Sequence, residues 1–195
     1  MLDRATAGVV RAQVDAGIDI PTDGEIRREN YIHYQCRHLG GIDFATLTRV
    51  RMRGTTDALL PTVTGDITPG PSPLVRDWTV AAAATDRPVK MTLPGPMTIV
   101  DSTADAHYGD ERRLAADLAV ALNAHVRELA DAGCEWIQID EPVMARKPGD
   151  ALAWGIDTLA RCFEGVADHV NRVTHACCGY PAHLDQVDYE KAPRT

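Results

Sequence analysis

Helical and strand patterns alternate along most of this chain, and the alternation limits the fold more than any single motif does. Helical patterns occupy residues 2–16, 72–84, 110–132 and 150–167, and strand patterns occupy residues 18–21, 61–67, 88–93, 135–140 and 169–176. Such alternation predicts parallel strands joined by crossover helices. Because the strands are β-branched or apolar at most positions, we expect a sheet covered on both faces. Residues 26–59 are polar and irregular, and a functional loop or small insertion is expected there.

Polar residues, glycine or proline follow each predicted strand. The ends are DGE at 23–25, GD at 65–66, LPGP at 93–96, DEP at 140–142 and HAC at 175–177. Parallel α/β barrels and open α/β sheets both place their sites at the carboxyl ends of strands. A closed eight-stranded barrel needs roughly 250 residues, whereas about five strands are predicted within these 195 residues. We therefore predict an α/β fold that, if it is a barrel, is incomplete.

Composition and charge exclude several classes of partner. The formal net charge is −8, whereas nucleic-acid binding needs a basic face. The sequence has no run of 18 apolar residues, and charges interrupt its start where a signal peptide has an apolar centre. Five cysteines, an odd number, fit reduced thiols better than a disulfide framework. We expect a cytoplasmic protein that binds small molecules and neither nucleic acid nor membrane.

His175 and Cys177 lie two positions apart at a predicted strand end. Residues with this spacing point to the same side of a strand, so an imidazole nitrogen and a thiolate can share one metal ion. Zinc suits this pair of ligands, and a catalytic zinc keeps one position open for a substrate thiol. A hydrogen-bonded histidine beside a buried cysteine explains the same two residues without a metal.

Two further strand ends place carboxylates close to a potential site. Asp140 and Glu141 end an apolar strand, where burial is costly unless a cation, a metal or a substrate amine pairs with them. We expect one of the two to face a pocket, and the structural alternative is a carboxylate at a helix N-terminus. The DGE sequence at 23–25, followed by two arginines, fits either a ligand contact or a turn with a surface ion pair.

Taken in order, these motifs resemble the catalytic domain of cobalamin-independent methionine synthase over about residues 1–180. The matching runs are DGE at 23–25, PTVTGD at 61–66, LPGPMT at 93–98, IQIDEP at 137–142 and THAC at 174–177. The resemblance implies a (β/α)8 TIM barrel, with residues 1–195 as a single partial domain. It implies a methyltransferase in which zinc activates homocysteine for methyl transfer from a methylated folate. By the same resemblance His175 and Cys177 are zinc ligands, and Glu25 and Asp140 hold the amino-acid end of homocysteine.

Departures from the family pattern leave the methyl donor and the thiol acceptor open. The family's other zinc ligands, a Glu and a Cys, lie beyond Thr195. Cys178, His183 and Glu190 are candidate substitutes, although their spacing does not require that role. The run VDST at 100–103 lacks the tryptophan that stacks on folate in the family, and Arg146 stands where the family has an acidic folate contact.

Three alternatives remain beside methionine synthesis. One is zinc-dependent alkyl transfer to another thiol, as in epoxyalkane:coenzyme M transferases. Another is an inactive binding module, with a complementing chain or a second copy supplying what is missing. A metal-free lyase or aldolase needs a lysine at a strand end, and the only strand lysine, Lys90, is predicted near the middle of its strand. No residue is assigned as a general acid or base.

Overall fold

The computed structural model describes residues 1–52 and 56–177. Cys178, His183 and Glu190 lie outside the described residues. The helices are α1 (Leu2–Asp15), α2 (Tyr31–Cys36), α3 (Leu74–Ala82), α4 (Pro96–Asp101), α5 (Glu111–Asp131), α6 (Pro142–Arg146), α7 (Pro148–Asp150) and α8 (Ile156–Arg161), with a π-helical turn at Ala151–Gly155 before α8. The strands are β1 (Leu39–Met52), β2 (Thr56–Pro69), β3 (Lys90–Pro94), β4 (Ala104–Asp105), β5 (Trp136–Asp140) and β6 (Asn171–His175).

A parallel sheet with the strand order β3-β5-β6 forms the centre of the fold. The strands are in register at their carboxyl ends, where Asp140 lies between Pro94 and His175. The predicted strand at 18–21 is reduced to an isolated parallel bridge between Thr22 and Lys90. The backbone N–H of Lys90 donates to the carbonyl of Pro21 at 2.9 Å. Within the described residues this sheet is open, so an α/β fold with parallel strands is confirmed and barrel closure is not.

One face of this sheet is apolar and the other is mainly polar, yet Thr92 and Asp140 on the second face are also buried. The expectation that both faces are covered stays a prediction. The apolar face belongs to one core with α4, α5 and α8, and its fully buried side chains are those of Met91, Leu93, Ile137 and Ile139. Burying each such side chain stabilises the fold by about 1.5–3 kcal/mol. The opposite face presents polar side chains, because successive strand residues point to opposite sides. The polar residues of that face are Lys90, Thr92, Gln138, Asp140, Asn171 and His175, and Pro94, Trp136 and Val173 share the face with them.

Helix α5 covers much of the core and has a clear start signal. The carboxylate of Asp110 accepts a hydrogen bond from the backbone N–H of Arg112 at 2.9 Å, which satisfies one of the unpaired donors at the helix N-terminus. Its buried stripe recurs every three or four residues, as an amphipathic helix requires. The leucines of that stripe are Leu114, Leu118, Leu122 and Leu129. None of the helices in the described part of the chain is long and apolar enough to cross a membrane.

A second sheet, with the order β1-β2-β4, corrects two predictions. Residues 61–67 were expected in the parallel sheet, but they lie in β2, which pairs antiparallel with β1. Residues 26–59 were expected to be irregular, but they include α2 and β1. Strand β1 is interrupted by register shifts between Gly40 and Ile42 and again between Asp43 and Leu47. These bulges break the period-two pattern by which a strand is predicted.

Candidate functional site

The carboxyl ends of β3, β5 and β6 are tied together by their backbones. The N–H of Gly95 donates to the carbonyl of Asp140 at 2.9 Å, and the N–H of Glu141 donates to the carbonyl of His175 at 2.9 Å. These bonds bring two of the predicted site residues into proximity, since Oδ1 of Asp140 lies 3.7 Å from Nδ1 of His175. The expectation that strand-end motifs meet at one edge of the sheet is therefore met for LPGP, DEP and the histidine of HAC.

Of the two adjacent carboxylates, Glu141 has a structural role. It is fully buried, and its carboxylate accepts from the N–H of Met97 at 2.9 Å, the N–H of Thr98 at 2.9 Å and the hydroxyl of Thr98 at 2.7 Å. It thus binds the first turn of α4, a neighbouring helix rather than the one that follows it in sequence. Burial raises the pKa of Glu141 to about 7, against the opposing effect of hydrogen bonds from Thr98 and Met97.

Gly95 allows this arrangement because it has no side chain. A Cβ at that position would lie 2.3 Å from Oε1 of Glu141, closer than unbonded atoms approach. The glycine of the LPGP run is therefore explained by close packing against a buried carboxylate.

Asp140 points to the polar face of the sheet and is the carboxylate that faces the candidate site. Its Oδ1 accepts a hydrogen bond from Nε2 of Gln138 at 2.7 Å, and Oε1 of Gln138 accepts from Nζ of Lys90 at 2.7 Å. Burial raises the pKa of Asp140, whereas the Gln138 hydrogen bond and the charge of His175 lower it in part. The negative charge of Glu25 raises the pKa of Asp140 further, so the two carboxylates share one electrostatic environment.

Glu25 is held in an uncommon backbone conformation. Its φ of 55° lies in the left-handed region, which is rare for a residue with a side chain and is frequent at functional sites. Oδ1 of Asp23 stabilises the turn by accepting from the N–H of Glu25 at 3.1 Å. Oε1 of Glu25 accepts from the Thr92 hydroxyl at 3.1 Å and from Nη1 of Arg28 at 3.3 Å.

The Glu25–Arg28 ion pair differs from the expected surface pair. The Arg28 side chain is 2% exposed and that of Glu25 is 42% exposed. Nη1 of Arg28 also donates to the Thr92 hydroxyl at 3.0 Å, which links the turn to the polar face of β3. Buried donors on Arg28 and Thr92 thus hold one oxygen of the Glu25 carboxylate, while the side chain remains partly exposed.

His175 and Cys177 suit zinc in chemical type, since imidazole and thiolate are its usual ligands. The side chain of His175 is 53% exposed, and Cys177 is half-buried. Within the described residues, however, no group of three or more His, Cys, Asp and Glu side chains could hold a metal ion. The two residues therefore fit part of a ligand set, and their assignment to zinc stays a prediction.

The two departures from the family pattern lie beside each other in the structure. Nη2 of Arg146 is 2.9 Å from Oδ2 of Asp101, and Nζ of Lys147 is 3.0 Å from Oδ1 of the same carboxylate. Burial opposes the ionisation of Asp101, but hydrogen bonds from Lys147 and Arg146 outweigh it and lower the pKa below its ordinary value. A cluster of three charged side chains thus links α4 to the end of α6.

Four side chains of the site were not predicted as site residues: Arg28, Lys90, Thr92 and Gln138. Alternation along β5 was a usable signal for Gln138, because a residue two positions before Asp140 must share its face. No comparable signal joined Arg28 to Thr92, since the contact spans 64 residues of sequence.

Comparison with known proteins gives consistent matches. The family model described as "Cobalamin-independent synthase, Catalytic domain" matches residues 1–189. The methionine synthase of Sulfolobus acidocaldarius is 34% identical over 182 residues, which cover 93% of this chain and 52% of that protein. The methionine synthase of Saccharolobus solfataricus is 33% identical over 177 residues, with 90% and 52% covered.

A solved structure matches over a similar range. The B12-independent methionine synthase from Shewanella sp. W3-18-1, in complex with selenomethionine, aligns with a TM-score of 0.86 and 36% identity, covering 92% of this chain and 52% of that one. The chain thus spans about half the length of the relatives it matches.

Proposed function

The chain belongs to the catalytic-domain family of cobalamin-independent methionine synthases, and from that membership we propose that it takes part in zinc-dependent methyl transfer to the thiol of homocysteine. The proposed product is methionine, and a 5-methyltetrahydrofolate-type compound is the proposed donor. One observation supports this function above the others. The Thr92 hydroxyl links Glu25 to the sheet face that carries Asp140, and Asp140 lies beside the predicted zinc ligand His175.

The two carboxylates are suited to bind the ammonium group of an amino acid. Each has one oxygen held by donors from the sheet or its adjoining turn, Oε1 in Glu25 and Oδ1 in Asp140. These hydrogen bonds use Oε1 of Glu25 and Oδ1 of Asp140, and the other oxygen of each carboxylate takes no part in them. An ammonium group brings three donors and a positive charge, which offsets the cost of burying Asp140 as an anion.

The thiol end of the substrate is assigned to the neighbouring strand end. His175 and Cys177 would hold the zinc ion, which lowers the pKa of a bound thiol so that it is a thiolate near neutral pH. Because Asp140 and His175 end adjacent strands, they place the amine and the thiol of one small molecule side by side. Transfer of a methyl group then requires orientation of the acceptor more than proton transfer by a side chain.

The charge of the site favours an amino-acid thiol over the alternative acceptor. Coenzyme M has a sulfonate where homocysteine has an amino-acid group, and two carboxylates at Glu25 and Asp140 would repel a sulfonate. The Asp101–Arg146 ion pair lies where the resemblance places folate contacts.

We further propose that residues 1–195 form part of a (β/α)8 barrel, whose other strands belong to further residues of the same protein, to a complementing chain or to a second copy. The order of the parallel elements supports this, since Thr22, β3, β5 and β6 follow one another in space as they do in sequence. Size-exclusion chromatography with light scattering tests it. An assembly that gains zinc on formation supports the proposal, and a stable monomer with full activity contradicts it.

Zinc analysis tests the metal. Wild-type chain purified without added zinc is expected to contain the ion, and His175→Ala and Cys177→Ser variants are expected to lose it. The matched control is His169→Ala, an exposed histidine before β6, which should retain the wild-type zinc content. Equal zinc in all four proteins would contradict the assignment of the ligands.

Calorimetric titration with L-homocysteine and L-methionine tests the amine site. Glu25→Gln and Asp140→Asn are each expected to weaken binding by roughly ten- to hundredfold, because a charged hydrogen bond contributes roughly 1.5–3 kcal/mol. Asp66→Asn is the control, since that carboxylate lies in the other sheet and is 83% exposed. Binding that is unchanged in both site variants would refute the proposed contacts, and binding without turnover would favour the binding-module alternative.

A further inference from the structure

A chain of hydrogen bonds crosses the polar face of the sheet from Lys90 to Asp140. Nζ of Lys90 donates to Oε1 of Gln138 at 2.7 Å, and Nε2 of Gln138 donates to Oδ1 of Asp140 at 2.7 Å. We propose that Lys90 and Gln138 are positioning residues, which orient the Asp140 carboxylate for the ammonium group of the substrate. This inference rests on the proposed function and assigns roles to two residues outside the proposed ligand contacts.

The direction of the chain follows from the chemistry of its members. A lysine ammonium has donors and no acceptor, so the group of Gln138 that faces Lys90 must be its carbonyl oxygen. The amide NH2 of Gln138 is thereby directed along β5 to Asp140, which as a carboxylate can only accept. Lys90 and Asp140 therefore require the same orientation of the Gln138 amide, and Lys90 holds the end of that amide that faces away from Asp140.

The hydrogen bond from Gln138 involves only one of the two carboxylate oxygens of Asp140. Gln138 holds Oδ1, and the same atom lies 3.7 Å from Nδ1 of His175, beyond hydrogen-bond distance. The carboxylate is therefore fixed by its strand neighbour rather than by the predicted metal ligand. Oδ2 is left for a ligand, and the plane of the carboxylate is restricted before any ligand arrives. Preorganisation of this kind increases affinity because less rotational freedom is lost on binding.

Packing does not explain Lys90 and Gln138. Both are half-buried on the polar face, whereas the core lies on the other side of the sheet, among Met91, Leu93 and their neighbours. Apolar side chains of similar length would satisfy the strand geometry without the cost of desolvating an ammonium and an amide. The two hydrogen bonds of this polar network favour one arrangement of Lys90, Gln138 and Asp140.

The test compares two ligands that differ only in the amino group. L-Methionine and 4-(methylthio)butanoic acid are titrated calorimetrically against the full 195-residue chain and against Lys90→Met and Gln138→Leu variants. Misplacement of Asp140 should weaken L-methionine by about tenfold and leave the amine-free compound unchanged, so the ratio of the two affinities falls. A general structural lesion would weaken both ligands together and leave the ratio unchanged.

Two further variants sharpen the result. Gln138→Glu keeps an acceptor for Lys90 but removes the donor to Asp140, so it is expected to lower the ratio as much as Gln138→Leu does. Asn171→Ala is the control, because its side chain donates to the carbonyl of Glu135 at the opposite end of the sheet, and it should leave the ratio as in the wild type.

The outcomes separate this inference from the proposed function. If the wild-type chain shows no preference for the amine-bearing ligand, the proposed amine site is refuted, and the positioning role with it. If the wild type shows the preference and the Lys90 and Gln138 variants retain it, the amine site stands and the positioning role is refuted.

Discussion

The buried carboxylate of Glu141 makes a specific prediction about stability and pH. Its pKa is about 7 in the folded chain, against an ordinary value of 4.5. As pH rises from 4.5 to about 7, the unfolded state loses its proton before the folded state does, so the folded state becomes less stable. The loss is complete above the folded pKa and amounts to about 3 kcal/mol. It is absent below pH 4.5, where both states are protonated.

Glu141→Gln removes this titration. Stability of the wild type relative to the E141Q variant should therefore fall by about 3 kcal/mol between pH 4.5 and pH 8. A constant difference adds to this change, because an amide accepts through one oxygen and its NH2 must oppose an N–H of Met97 or Thr98. The buried donor that is left without an acceptor destabilises the variant by about 1–3 kcal/mol.

Urea unfolding followed by circular dichroism at several pH values measures both quantities. Taking the difference between two proteins cancels the titration of every other group. Glu135→Gln changes an exposed carboxylate just before β5, and its difference from the wild type should remain flat across the same range. If the wild type instead becomes more stable relative to E141Q as pH rises, the reasoning is refuted. That result would mean that the three hydrogen bonds to the Glu141 carboxylate outweigh the effect of its burial on the pKa.

Three further predictions concern packing, capping and burial. Gly95→Ala should destabilise the chain by about 1–3 kcal/mol in urea unfolding, whereas Gly149→Ala, where an added Cβ meets nothing within 4 Å, should not. Asn30→Ala should cost about 1 kcal/mol by the same measurement, because Oδ1 of Asn30 accepts from the first turn of α2, and Asn30→Asp should retain most of the stability. Iodoacetamide at pH 8 followed by mass spectrometry should leave three thiols unmodified until the chain unfolds, because burial raises the pKa of Cys36, Cys134 and Cys162.

Strands and helices of the parallel sheet were predictable because their patterns are local. The helix predicted at 110–132 is observed at Glu111–Asp131, and the strand predicted at 135–140 is observed at Trp136–Asp140. Both have an apolar period of the right length and a stop residue, which sequence alone displays. The β1–β2 hairpin was missed because register shifts in β1 break the period-two pattern by which a strand is predicted.

The candidate site was predictable in position but not in the roles of its members. Strand-end polarity located Asp140, Glu141 and His175 at one edge of the sheet. The same polarity could not predict which of the two carboxylates lies on the polar face. The other one is bound by N–H groups of α4, which lie more than 40 residues earlier in the chain. The zinc assignment of His175 and Cys177 stays a prediction.

The different positions of Asp140 and Glu141 depend on the register of β5. The two carboxylates are adjacent in sequence, yet one faces the polar side of the sheet and the other is enclosed against α4. Deleting one residue within β5 would exchange faces for every side chain beyond the deletion. The carboxylate that binds α4 would then lie on the polar face, and that of Asp140 would turn toward the apolar core beside Ile137. The positions of these two carboxylates therefore constrain the number of residues in β5 as well as their identity.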